Sequence, residues 1–291
     1  MLLVSAAIAA ALGWGCAVSQ PTATKPAGPP VALETASKAD LIAAYNRQAA
    51  AVTSLNAGVT MTLTAGSAYT GVIKQYHQIT GFILAQKPSD IRVIGQAPVV
   101  GTNIFDMVSD GETFKIFIPS QNKFVVGPAN LERPSAKPIE NLRPQHLINA
   151  VFWTPIPEDS PVLLEEAAEG VSQSYVLTVV RGEAGGPQNW NLARKIWFDR
   201  ANLNVSRIET YDPDGKLVSD VHYGNWDTFS GIRYPRQISL ERPANDYRLD
   251  IGVTKLTLNE TITADRFALK QPPGTQLERV GEDAPAPEKQ P

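Results

Sequence analysis

The spacing of apolar residues changes as the chain proceeds. Leu41, Ile42, Tyr45, Ala49, Val52 and Leu55 recur at helical intervals behind Ser37, a capping residue, and Asp40 in the first turn. This pattern predicts an amphipathic helix whose stripe needs a surface to cover. From Val59 the period becomes two: Val59, Met61 and Leu63 alternate with Thr60, Thr62 and Thr64. That is the signature of a strand with one buried face. Further strands are expected at 76–85, 90–96, 103–109, 113–118 and 123–127, with tight turns at 109–112 and 119–122. Pro144 suits the first position of a second helix carrying Leu147, Ile148, Val151 and Phe152, and a Pro-rich loop over 153–157 follows it. Strands then resume at 173–180, 191–199, 204–211, 216–223, 237–242 and 247–258, two of them joined by the Asp212-Pro-Asp-Gly215 turn.

Helices and strands do not alternate as βαβ units, and no repeat period appears. The expected architecture is a single α+β domain, mostly antiparallel β, with eleven or so strands and two or three helices. The strands fall in two blocks about the Pro144 helix, as one long meander interrupted by a lid. The 23 prolines and 21 glycines support many turns between short strands. A formal charge of −3, from 26 basic and 29 acidic residues, argues against nucleic acid as a partner.

Residues carrying chemistry are sparse. His77 and His222 fall on expected strands and His146 on the short helix, with no shared ligand spacing, so no metal is expected. Asp212 and Asp214 begin like a calcium loop, but no Glu closes it, and a hairpin turn explains them better. The adjacent carboxylates Glu165 and Glu166 diverge in direction. No nucleophile elbow, phosphate loop or dinucleotide fingerprint is present, so neither an enzyme nor a cofactor is expected.

The ends of the chain read as an address and a tail. Leu2 to Leu12 is an uncharged apolar run of eleven residues, about 16 Å as a helix, too short to span a bilayer and suited to a signal peptide. It leads into Gly13-Trp-Gly-Cys16, which resembles a bacterial lipobox despite Trp14, Gly13 and the lack of a basic residue after Met1. Cys16 is the sole cysteine, so an intrachain disulfide is impossible. The resemblance implies that Cys16 becomes the lipidated N-terminus. Ala17 after it, where an inner-membrane retention signal would place Asp, implies the outer membrane. The expected organisation is a signal peptide at 1–15, a lipidated Pro-rich tether at 16–36, a folded domain at 37–280 and a disordered tail at 281–291.

Several stretches also resemble the LolA/LolB-type lipoprotein-carrier superfamily. These are Pro88-Ser-Asp-Ile-Arg-Val-Ile-Gly95, then Pro98-Val-Val-Gly101 followed by Ile104 to Gly111, Tyr234-Pro235 after Gly231, and Phe267-Ala-Leu269 with Pro272-Pro-Gly274. The likeness runs over about residues 41–277, and the lipobox places it on the LolB-like side. It implies an unclosed half-barrel with a helical lid around an apolar cavity. It further implies acyl chains of lipids or lipoproteins as ligands, the periplasmic face of the outer membrane as location, and a periplasmic carrier as a possible partner. The strand pattern suggests a cavity lined by Val59, Met61, Leu63, Phe82, Ile91, Val93, Phe114, Ile116, Leu177 and Ile196, although a register error of one residue would invert the face. In the family an apolar residue before the glycine that opens the fourth strand assists delivery to the membrane. Val100, with Val99 beside it, holds that position before Gly101; packing under the sheet edge is the alternative for both. An envelope sensor or interaction module with a filled cavity remains the competing function.

Overall fold

The computed structural model describes residues 32–66, 74–75, 77–130, 142–170, 172–182 and 190–281. Cys16, the lipobox, most of the tether and the tail at 282–291 lie outside them. The residues from Leu33 onward form one compact unit.

The first helix, α1 (Lys38–Ala51), begins where the sequence requires. The Ser37 hydroxyl accepts from the Asp40 amide at 3.2 Å, and the Asp40 carboxylate accepts from the Ser37 amide at 3.1 Å. This reciprocal box satisfies amide groups that a helix start leaves without partners. Leu41, Tyr45 and Ala49 form the buried stripe. The helix is held at its far end by Asn259, whose side-chain nitrogen donates to the Ala51 carbonyl at 2.7 Å.

Fifteen strands follow among the described residues, all in one sheet. They are β1 (Ser54–Ala65), β2 (Lys74–Gln75), β3 (Ile79–Gln86), β4 (Asp90–Gln96), β5 (Asn103–Ser109), β6 (Thr113–Ile118) and β7 (Lys123–Pro128), then β8 (Val162–Glu169), β9 (Ser172–Gly182), β10 (Trp190–Asp199), β11 (Val205–Tyr211), β12 (Leu217–Phe229), β13 (Ile232–Arg242), β14 (Tyr247–Leu258) and β15 (Gln276–Arg279). The second helix, α2 (Pro144–Val151), separates the two blocks. The chain starts mid-sheet with β1 and meanders outward through β3 to β7. It crosses to the far edge at β8, then meanders back until β14 lies against β1. Every pairing is antiparallel except that of β15, which lies parallel to β7. The sheet ends at β15 and at β8 without closing. The fold is therefore α+β, an open half-barrel with a helical lid.

Its strand count exceeds the eleven or so expected, for physical reasons. Val162–Glu169, to which the sequence pattern assigned no element because its Glu and Ala residues hide the period of two, is edge strand β8. Its glutamates protect an open edge from pairing with other chains. The two-residue β2 and the four-residue β15 are too short to show a period. β3 starts at Ile79 rather than near 76, and His77 lies in the segment before it rather than on a strand.

A C-terminal strap completes the outer side. After β14 the chain turns at Asn259, and a short 3-10 turn at Ala264–Phe267 packs against β4, where the Arg92 guanidinium donates to the Arg266 carbonyl at 2.9 Å. The chain then reaches β7 as β15. Under this strap Arg92 also holds Asp106 through two bonds of 3.0 and 2.7 Å.

Candidate functional site

Both helices pack into the inner face of the half-barrel. α2 begins with Pro144 at its first position and buries Leu147, Ile148, Ala150 and Val151. The chain continues inward with Phe152, Trp153 and Ile156, all buried. Trp153 is the centre of an aromatic cluster: it stacks on Tyr45 of α1 at 5.3 Å and meets Tyr223 and Trp226 edge-on at 5.5 and 5.9 Å.

A few polar bonds tie this lid to the trough. The hydroxyl of Tyr223 donates to the Ala150 carbonyl at 3.0 Å, and that of Tyr234 to the Val151 carbonyl at 2.9 Å. These carbonyls belong to the last turn of α2, where a helix cannot supply partners of its own. Burial pushes both phenols well above their ordinary range, so they remain donors at any physiological pH. The Asn46 side chain of α1 accepts from the Ile156 amide at 2.8 Å and donates to the Ile156 carbonyl at 3.0 Å. The Arg194 guanidinium donates to the carbonyls of Thr154 and Pro155 and to the Tyr45 hydroxyl. Tyr45 is raised to about 12 by burial, an effect that Arg194 partly offsets.

Arg194 had a legible signal. It precedes Ile196 and Phe198 at alternate positions of β10, both of them buried, so it marks a cation on a core-facing row. Tyr223, Tyr234 and Asn46 carried no such mark, because each sits at a position where an apolar side chain would fit the pattern equally well.

Nine of the residues expected to line the interior, Val59, Met61, Leu63, Ile91, Val93, Phe114, Ile116, Leu177 and Ile196, belong to the single buried cluster inside the trough. Phe82 does not. It is 49% exposed, and the inward positions of β3 fall to Gly81, Ile83 and Ala85. The run Phe82-Ile-Leu-Ala85 is continuously apolar, so period two cannot fix its phase. Phe82 also pairs with Gly58 and Ile94, on the face opposite to Val93. Between β1, β13, β14 and Val151 of the lid there remains a void of about 10 Å³, room for one water at most.

The loop between β4 and β5 departs from the rest of the surface. Val99 is fully exposed and Val100 is 73% exposed. The Val100 amide donates to the Pro98 carbonyl at 2.9 Å across Val99, whose φ is 72°. This is a three-residue turn of positive φ, a rare and strained form, and a β-branched residue tolerates it poorly. Gly101 follows at φ 66° with open space around it. Both valines stand clear of the sheet edge.

His146, half-buried at the start of the lid, has its Nε2 3.3 Å from Arg242 and its Nδ1 2.8 Å from the Tyr247 hydroxyl. A guanidinium can only donate, so Nε2 accepts and the proton resides on Nδ1. Desolvation first, and then Arg242 and Arg143, push its pKa down to about 2. Among the described residues no His, Cys, Asp and Glu group could hold a metal, and no helix is long and apolar enough to cross a membrane. Glu165 accepts from Thr178 and Glu166 pairs with Arg200, so the two carboxylates serve separate structural bonds.

The candidate site is a lidded apolar trough. No protein-family model matches the sequence, and no curated protein matches it. Among solved structures, the chain is similar to a LolA superfamily protein from Nitrosomonas europaea, at 13% identity and a TM-score of 0.48 over 78% of this chain and 97% of that one. It is similar to a DUF1329 family protein from Desulfovibrio piger, at 14% identity and a TM-score of 0.49 over 79% and 95%. It is also similar to a domain from Vibrio parahaemolyticus described as an outer membrane lipoprotein-sorting protein, at 12% identity and a TM-score of 0.47 over 78% and 94%.

Proposed function

We propose that this protein carries acyl chains of lipids or lipoproteins, admitting a chain into the trough by displacing the lid, and that it works in the bacterial envelope as an outer-membrane lipoprotein anchored through Cys16. One observation carries the reading: the apolar inner face is closed by two short helices and side-chain latches, and not by the sheet itself. Such a plug is exchangeable. Leu147, Ile148, Val151, Phe152, Trp153 and Ile156 bury apolar surface at about 1.5 kcal/mol or more each, roughly 9 kcal/mol together. A palmitoyl chain offers about 0.8 kcal/mol per methylene, roughly 11 kcal/mol in full. The two are of one size, so a ligand can replace the lid residues without a large net penalty, while an empty trough stays shut.

Two further features support the reading. The strained Val99-Val100 tip presents apolar surface that, inserted into a bilayer interface, contributes about 3 kcal/mol if both side chains are fully desolvated. That orients a protein already held by acyl anchors and would be too weak to hold it alone. The sequence before the described residues has the order of a lipoprotein export signal.

The small size of the void beside Val151 favours a second reading, an envelope interaction or sensor module that never opens. Purification without detergent, delipidation and titration with a fluorescent fatty acid separate the two. Saturable stoichiometric binding is expected, and failure to bind any chain length would favour the closed module.

A further inference from the structure

β12 continues past its neighbour. Its pairing with β11 ends at Arg207 and His222, whereas Tyr223 to Phe229 runs on against β13 alone. The hollow left beside this extension, facing the turn from Asp199 to Asn204, is a cleft of about 300 Å³. That volume is at the lower end of the range for small-molecule sites. Its lining is polar, in contrast to the trough: Asp199, Asn204, Asn225 and Arg233 line it together with Trp226. Asn225 holds a φ of 52° in the middle of a strand, strain of the kind that accumulates at binding sites. Asn225 uses its amide nitrogen on Gln237, at 3.1 Å, and keeps its oxygen for another donor. The side chains of Asn204 and Arg233 make no hydrogen bond among the described residues.

The cleft and the lid share a wall. Tyr223 and Trp226 border the cleft, and these are the rings that meet Trp153 edge-on. A ligand whose chain takes the place of Trp153 therefore brings its polar end to the cleft. We propose that the cleft seats a neutral, hydroxyl-bearing head group, glyceryl or glycosyl, of the acyl ligand; this rests on the acyl-carrier reading above. Charge decides against a phosphate. Arg233 is the single cation of the lining, and after the Thr228 amide and Arg236 it also helps to hold the Asp227 carboxyl below its ordinary range. The Asp199 carboxylate lies in the same lining, bonded to the Ala201 amide and the Asn202 side chain, and would repel an anion. Planar amides that both accept and donate, and a carboxylate that accepts from hydroxyls, beside the Trp226 indole, fit a polyol.

The test uses the delipidated full chain with four probes: decanoate, decyl phosphate, decyl β-glucoside and glucose alone. The glucoside is expected to bind at least fivefold tighter than decanoate or decyl phosphate. The double variant Asn204→Ala, Asn225→Gly should erase that advantage and leave decanoate binding and thermal stability unchanged. Asn225→Gly alone serves if the double variant folds poorly, since glycine accepts the φ of 52°. Equal binding of glucoside and decanoate, tightest binding of decyl phosphate, or an advantage that survives in the variants overturns the head-group assignment and leaves the carrier reading intact. Failure of every alkyl probe to bind overturns the carrier reading as well.

Discussion

Removing two hydroxyls should open the lid without touching the sheet. Tyr223→Phe and Tyr234→Phe keep the rings in the core and delete the donors that serve the Ala150 and Val151 carbonyls. Each carbonyl lies at the end of α2 and accepts no other hydrogen bond among the described residues, so its loss of a bond in a buried site costs about 1–2 kcal/mol. Together the two changes raise the free energy of the closed lid by roughly 2–4 kcal/mol, about a 30- to 700-fold shift toward opening. Hydrogen exchange reads this directly. The amides of residues 147–153 should lose protection by that factor in the double variant, while those of β1 and β14 change little. Fatty-acid affinity should rise in parallel, up to the same factor, because less of the binding energy goes into displacing the lid. Equal loss of protection in lid and sheet would show that the lid is not a separate unit. Unchanged lid protection would show that the tyrosine bonds do not hold it.

Other consequences follow from the loop, the lid and the N-terminus. Val99→Gly relieves a positive φ and should leave thermal stability unchanged or raise it by up to about 1 kcal/mol, while slowing delivery of a bound chain to liposomes; a marked loss of stability would mean that Val99 packs. His146 has a folded pKa near 2 against an unfolded value of about 6.5, so its contribution to stability is complete above pH 7 and falls as the pH drops below 6.5. The slope is at most about 1.4 kcal/mol per pH unit; His146→Gln should flatten the pH dependence of the melting temperature between pH 6 and 4.5, and an unaltered slope would refute the assignment. Cys16→Ala should release the protein from outer-membrane fractions and abolish labelling with palmitate, and retention of both would refute the anchor.

How much of this was legible depends on what each segment had to encode. α1 was readable because its cap, stripe and start agree, and the structure buries Leu41, Tyr45 and Ala49 as the spacing requires. β1 was readable because threonines mark its outer face. The order of elements gave a large antiparallel sheet with helices, and the open half-barrel was only what the family resemblance implied, since no local pattern encodes whether a sheet closes. β8 was hidden because an edge strand needs charge to stay unpaired, and charge with alanine hides the period of two. Phe82 was misplaced because its strand is apolar on both sides: Leu84 lies on the outer side, paired with Arg92, and is buried as well. The lid latches were invisible because a hydroxyl seeking a helix-end carbonyl is a tertiary event. The Val99-Val100 turn was readable from its Pro and Gly boundaries, but its exposure, left open against packing under the sheet edge, and its strain were not.

The central claim is that a chain enters only when the lid leaves. Cysteines at positions 46 and 156, in a protein where Cys16 is replaced by Ser, place a removable tether where the Asn46 side chain now holds the Ile156 backbone. Fatty-acid binding should be at least tenfold weaker in the oxidised form and recover on reduction to the wild-type value or above it, since the Asn46 latch is gone. Equal binding by the tethered and reduced forms would contradict the account.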